Sequence, residues 1–420
     1  MGRYPNARKR QGFAVGLVLA LAVAAPARAQ NGPAPPIWQA VDAETGRLTG
    51  ITDLQALLVM FPDSASVRRR LLNAYLEAER SADALAEAVE LVRRGYAFSP
   101  AAQEMLLTFG PTEEQRGVLG LQSAHAEPIE TSGLLATVPA GVHLVESVWR
   151  DPCSGDLFVT SVVSRALHVR RGEGEWQPIA LAGTGSLSGM AADPASGLLW
   201  VSSGVFDQTP EPASAFRGVI AVDPATGRET RRLAAPADAS PSDMAVAGDG
   251  TVYASDPVSG AVYVGQPGAG ALDVLVPPGT FRSPQGLVPW DEGLIVSDYA
   301  YGLAFVDRGG KAWRIGAEAP LLLDGIDGMW RRGEKIVAVQ NGARPMRIIE
   351  LTVSPDGKRA RDLRVIEQAH PGWAEPVGGN ISNGELVYVA TGQWDRFGIG
   401  GALTDERSPA PTEIRVLSLR

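Results

Sequence analysis

One phrase recurs six times between residues 144 and 391, and it leaves few folds open. The copies read "LVESVWRDPCSGDLFVTS", "SLSGMAADPASGLLWVSS", "SPSDMAVAGDGTVYASD", "SPQGLVPWDEGLIVSD", "GIDGMWRRGEKIVAVQN" and "PVGGNISNGELVYVAT". Each joins two short β-prone runs through a turn rich in Gly, Asp or Asn. After most copies come a turn and further strands, as in "GAVYVGQPG" followed by "ALDVLVPPG". Four strands repeating every ~40 to 50 residues is the signature of a β-propeller, so six copies predict six blades. The sixth copy is short of one strand: "NISNGELVYVAT" supplies two and "TEIRVLSLR" a third. The missing outer strand is found early in the chain, as "GLLATVPAG" (133–141), whose text matches the outer strand "ALDVLVPPG". An early strand placed in the last blade closes the ring and removes an exposed sheet edge.

A different text precedes the repeats. Val67, Leu71, Leu72, Tyr75 and Leu76 recur at helical spacing, as do Leu85, Ala88, Val89 and Val92. Ser64, Ser81 and Ser99 stand where N-caps belong, and Gly95 and Gly110 where helices stop. The stretch resembles a tetratricopeptide unit, but a stack needs about three repeats to bury its own core. These helices are therefore expected to lean on the propeller or on a partner protein of the cell envelope. The fold class expected is mainly β, a six-bladed β-propeller with an N-terminal α-helical hairpin domain. The division is residues 1–29 signal peptide, 30–52 linker, 53–110 helical segment, 111–131 linker and 132–420 propeller.

The first 29 residues carry Arg3, Arg8, Lys9 and Arg10, an apolar run from Phe13 to Ala25 and then "ARA". That is the layout of a cleaved secretory leader, with an apolar run too short for an ordinary spanning helix. Cleavage near Ala29 would make the protein periplasmic or secreted, with no membrane span. Losing five basic residues and no acid takes the formal charge from −9 to −14. So acidic a chain is a poor partner for nucleic acid or anionic lipid. Cys153 is the single cysteine and allows no internal disulfide.

In a propeller the first strand of each blade lines the central channel. The variable position of the phrase therefore sets Glu146, Ser188, Asp243, Gln285, Asp327 and Gly378 around one mouth. Three carboxylates and an amide oxygen are expected to converge there within a few ångströms, which calls for a hard divalent cation. Calcium is favoured, because no histidine or thiolate occupies the ring. Two long loops, residues 202–218 and 391–413, follow second strands and are expected to roof the opening. Phe206, Tyr299, Tyr301, Asn341 and Trp394 are candidates for its walls. Nucleophile-elbow, zincin and phosphate-loop motifs are absent from the sequence.

The phrases "ESVW", "SDM", "PQGL" and "IDGMW" resemble those of the SMP-30/gluconolactonase-like family of six-bladed propellers, over roughly residues 140–400. The resemblance implies a divalent cation at the channel mouth, held by Glu146, Gln285 and Asp327. It also implies hydrolysis of a lactone or small ester, with Asp327 as base; Asp243 is the other residue expected to be able to draw the proton from the attacking water. The family's third-blade Asn-Asp pair falls on Ser242 and Asp243, so Ser242 stands in the substrate pocket where the family has Asn. Gln285 stands where the family has Asn, one methylene longer. The expected function is an exported metal-dependent hydrolase acting on a small molecule. The alternatives are a propeller scaffold of the envelope and a ligand-binding sensor without turnover.

Overall fold

The computed structural model describes Trp38 and residues 45–419, so the leader and most of the first linker lie outside the described residues. Within them the chain forms six sheets, five of four strands and one of five. The blades are residues 145–179, 186–234, 244–276, 284–314, 329–368 and 379–418. In the first four the strands run in chain order from inner to outer, antiparallel throughout. Blade five takes an extra two-residue strand, Gly316–Ala317, parallel to its outer strand. The outer strand of blade six is Gly133–Val138, paired antiparallel with Thr412–Ser418. The last sheet thus combines the first and last strands of the propeller.

The patterning of each strand follows from its place in the blade. Second strands such as Leu157–Ser161 and Leu199–Gly204 are buried along their whole length, because sheets cover both of their faces. The outer strand Arg228–Ala234, "RETRRLA", faces solvent on one side and carries the charges. Apolar clusters fill the gaps between successive blades. Trp149, Phe158, Met190 and Val201 join blades one and two, and Ala136, Val138, Val145 and Val387 join six and one. The "DPxSG" turns are Asx turns: Asp151 accepts from Cys153 N–H and Asp193 from Ala195 N–H, both at 2.9 Å. Cys153 is exposed in such a turn. The Asp that ends the phrase in blades three and four, Asp256 or Asp298, is fully buried and receives backbone N–H groups of the preceding loop, from Ser240 and from Arg282 and Ser283.

Among the described residues six α-helices precede the first strand: α1 (Ile51–Met60), α2 (Ala65–Glu77), α3 (Ser81–Arg93), α4 (Pro100–Thr108), α5 (Glu113–Gly120) and α6 (Gln122–Ala126). None of the described helices is long and apolar enough to cross a membrane. Ser64 caps α2 and Ser99 caps α4 through their hydroxyls. Ser81 is the first residue of α3 and makes no cap; Arg80 precedes it and pairs with Asp83 at 2.5 Å instead. Gly95 and Gly110 take the left-handed conformation after α3 and α4, at φ +90° and +70°. Residues 111–131 hold α5 and α6, with a Thr112/Gln115 capping box opening α5.

The helices lean on the propeller. Leu57, Phe61 and Val67 enter the cluster between blades three and four, with Phe61 stacked on Tyr301 at 4.4 Å. Tyr301 is therefore packing beneath the helices and forms no wall of the mouth. Asp324, from the loop joining blades four and five, accepts from Ala65 N–H (2.8 Å), Ser66 N–H (2.7 Å) and the Ser64 hydroxyl (3.1 Å). An aspartate thus sits on the N-terminus of α2, where the helix dipole favours negative charge. Asp63 adds ion pairs to Arg94 and Arg314, all three well buried.

Candidate functional site at the channel mouth

The inner strands begin at one end of the channel, and hydrogen bonds tie their starts together. Gly378 N–H donates to Glu146 O, Gly189 N–H to Ser242 O and Gly286 N–H to Asp327 O, each crossing between neighbouring blades. A side chain at any of these glycines would strike the adjacent strand start. The tight approach holds the intervening side chains at the opening. Glu146, Asp243, Gln285 and Asp327 are each half-buried while their neighbours in sequence are mostly buried.

Four carboxyls share this mouth and act on one another. Burial raises Glu146 well above the usual carboxylate range, and the carboxyls of Asp327, Glu375 and Asp243 add to the rise. Burial and then Asp243 push Asp327 up to about 7. Burial lifts Asp243 to about 6, and burial followed by Asp327 lifts Glu375 to about 7. Water reaches each carboxyl from the opening, yet enough protein surrounds it to disfavour charge. The recorded ion pairs of the protein lie elsewhere, and among the described residues none of these four carboxyls has a basic partner.

Each carboxyl is held from its own side of the ring. The indole Nε1–H of Trp394 donates to Glu146 Oε2 at 2.5 Å. Asn341 Nδ2 donates to Asp327 Oδ2 (2.7 Å) and to Pro376 O (2.9 Å), and Tyr299 OH donates to Asn341 Oδ1 (2.9 Å). Both neighbours of the Asn341 nitrogen are acceptors, which fixes the amide orientation. Trp394 N–H reaches Glu375 Oε2 at 3.3 Å, and Asp243 Oδ1 accepts from Met244 N–H at 2.8 Å. The expectation of a tight convergence is corrected here: among the described residues no three carboxylate, imidazole or thiolate groups lie close enough to hold a metal ion between them.

The remaining candidates divide. Gln285 is half-buried beside Asp327, its amide nitrogen 3.4 Å from Ser283 Oγ. Ser242 serves through its carbonyl, which accepts from Gly189 N–H and the hydroxyls of Ser188 and Ser202. Ser188 is thereby part of the wall. Phe206 and Trp394, one from each long loop, meet edge to face at 6.4 Å. The two loops also bond directly, Gly400 N–H to Asp207 O at 2.7 Å. They cover the side of the mouth formed by blades six, one and two. Sequence reasoning missed Glu375, three residues ahead of the aligned Gly378; the available signal was an acid beside Pro376 in the lead-in to an inner strand. A separate cleft of ≈590 Å³ opens between blades three and four, lined by Tyr253, Trp290, Arg308 and Arg331 and by turns at the other end of the inner strands.

No family model and no curated protein matches the chain. Solved structures do. The chain is similar to a gluconolactonase from Xanthomonas campestris, 16% identical over 69% of this chain and 96% of that one, with a TM-score of 0.44. It is similar to regucalcin, a calcium-binding protein from Agrobacterium tumefaciens, 17% identical over 68% and 95%, TM-score 0.45. A virginiamycin B lyase from Staphylococcus aureus is 12% identical over 65% and 80%, TM-score 0.44.

Proposed function

We propose that the mouth binds a divalent cation, calcium by its donor chemistry, and hydrolyses a lactone or small ester. The observation carrying this reading is a solvent-reachable ring of four carboxyls with no basic partner among the described residues. Its donors are all oxygen, the chemistry a hard cation needs. Glu146 and Asp327, with the amide oxygen of Gln285, would hold the ion, and their like charge would find in it the missing counterpart. When bound, such an ion polarises a carbonyl and stabilises developing negative charge on its oxygen.

The chain's own groups then divide the work. Asp327 is the base: its carboxyl, raised to about 7 and oriented by Asn341, accepts a proton from water as the water oxygen attacks the carbonyl carbon. The ring C–O bond breaks, and the leaving alkoxide takes that proton back. Asp243, lifted by burial to about 6, is the second group able to serve as base. Phe206 and Trp394 shield the opening from bulk water. Export is part of the reading and is supported by the layout of residues 1–29.

Calcium titration by calorimetry followed by a lactone panel tests the proposal. Turnover should vanish in chelator, return with calcium and be lost in Asp327→Asn. Turnover retained in that variant overturns the scheme. Calcium binding with no turnover on any lactone replaces it with the non-catalytic ligand-binding reading.

A further inference from the structure

The helical segment stands on the rim of the same mouth. The Ser64 hydroxyl donates to Ala300 O at 2.8 Å, next to Tyr299. The loop after α3 is fixed by Ala97 N–H to Arg344 O at 2.8 Å, on the blade-five loop that begins with Asn341. Between these anchors lies Arg69 of α2, its guanidinium over the Tyr96 ring at 5.8 Å. It is also near enough to the Tyr299 phenol to favour the phenolate. The two long loops cover blades six, one and two, and α2 with the residue 96–98 loop borders blades four and five.

Three arginines of the loops around the opening are already engaged, and exposed Arg344 is left to solvent. Arg165 is used on Thr184 O and Pro210 O, Arg217 on Ala239 O and Ser240, and Arg396 on Asp405. Arg68, the neighbour of Arg69, is used on Pro62 O and Glu87. Arg69 is half-buried and, among the described residues, has neither a hydrogen bond nor an ion pair; its one recorded packing partner is an aromatic face. A partly desolvated guanidinium held by a ring is preorganised for an oxyanion, which it can meet with two parallel N–H donors.

We propose that α2 completes the site and that Arg69 forms a subsite for an anionic group, so that the ligand carries a carboxylate in addition to the carbonyl facing the acids. The inference rests on the mouth being a ligand site and deepens that reading by naming the ligand class. The four carboxyls repel an anion from their own wall, so a ligand charged at one end is oriented with its neutral carbonyl toward Asp327 and its carboxylate toward α2.

Paraconic acid, a γ-lactone bearing a carboxyl group, and its primary amide form the test pair. In the calcium-loaded full chain, Arg69→Ala should lower kcat/KM for the acid by about tenfold or more and leave the amide within about twofold, as expected for one lost charge-assisted bond. Arg69→Lys should recover part of the loss. Equal losses on both probes, or none on either, overturn the subsite. If neither lactone is hydrolysed, the hydrolase reading fails, and the same pair is used as ligands in calorimetry. Binding of the acid that weakens in Arg69→Ala supports the subsite; equal affinity for acid and amide, or binding of neither, overturns it. The melting temperature of Arg69→Ala should stay at the wild-type value, separating loss of the subsite from loss of the fold.

Discussion

Replacing Asp324 by alanine isolates the joint between helices and propeller. The carboxylate accepts the N–H groups of Ala65 and Ser66 and the Ser64 hydroxyl. Alanine leaves two helix N-terminal donors without an acceptor, at a cost of about 1–3 kcal/mol each where burial keeps water out. Ala65 is buried and Ser66 half-buried, so the lower part of that range applies to the second. Burial also lifts the Asp324 carboxyl above its ordinary range, so the variant is relieved of a desolvated charge and recovers part of the loss. The net expectation is a destabilisation of about 2–4 kcal/mol, read from urea denaturation by far-UV circular dichroism. The pH dependence has a definite sign. A group whose folded pKa is raised contributes most below its unfolded pKa, so the gap between wild type and variant is widest below about pH 4 and narrows as pH rises. A loss under about 0.5 kcal/mol, the size of an ordinary surface change, would refute the cap as the joint. Hydrogen exchange supplies a local check: amide protection in the first turn of α2 should fall in the variant while the blades keep theirs.

Three further outcomes are expected. In chelator, the raised folded values of Glu146, Asp243, Asp327 and Glu375 make the protein less stable as pH climbs through about 6 to 7. Thermal melts over that span check the direction, calcium should raise the melt more at about pH 8 than at about pH 5 because protons compete for the carboxyls, and a chelated melt rising with pH contradicts it. Trp394→Phe keeps a ring against Phe206 but removes the indole donor that lowers Glu146, so the pH midpoint of calcium binding should move upward; an unmoved midpoint shows that the indole does not tune the site. Asn341→Ala takes away the bond that lowers Asp327, and the acidic limb of the kcat/KM profile should shift to higher pH with little change on the basic side.

The six blades were legible because the feature that builds them is local. Each inner and second strand is a short apolar run with an Asp or Gly turn, and six near-copies set the period without knowledge of any long-range contact. Closure of the ring by residues 133–138 was legible for the same reason, through the likeness of one outer strand to another. The site was harder to read. Position in the repeat put Glu146, Asp243, Gln285 and Asp327 at one opening, but side-chain direction depends on partners more than 200 residues away, such as Trp394 for Glu146. Glu375 escaped because it precedes the aligned phrase, where the lead-in to an inner strand has no fixed length. Arg69 was illegible in principle: on a helical wheel it is a solvated arginine, and only the docking of α2 through Asp324 brings it to the rim.

A ring of repelling carboxyls can exist only where the scaffold overrides it. Two features of this chain do so. Apolar layers between every pair of neighbouring blades hold the inner strands in place independently of what their first residues carry. The glycines at the strand starts leave no room to splay, since any outward shift at Gly189, Gly286 or Gly378 would break a cross-blade backbone bond. Burial raises the proton affinity of all four carboxyls, and the repulsion, unable to relax through the backbone, adds to it at Glu146, Asp327 and Glu375. On the reading proposed above, a cation would enter the mouth in exchange for those protons.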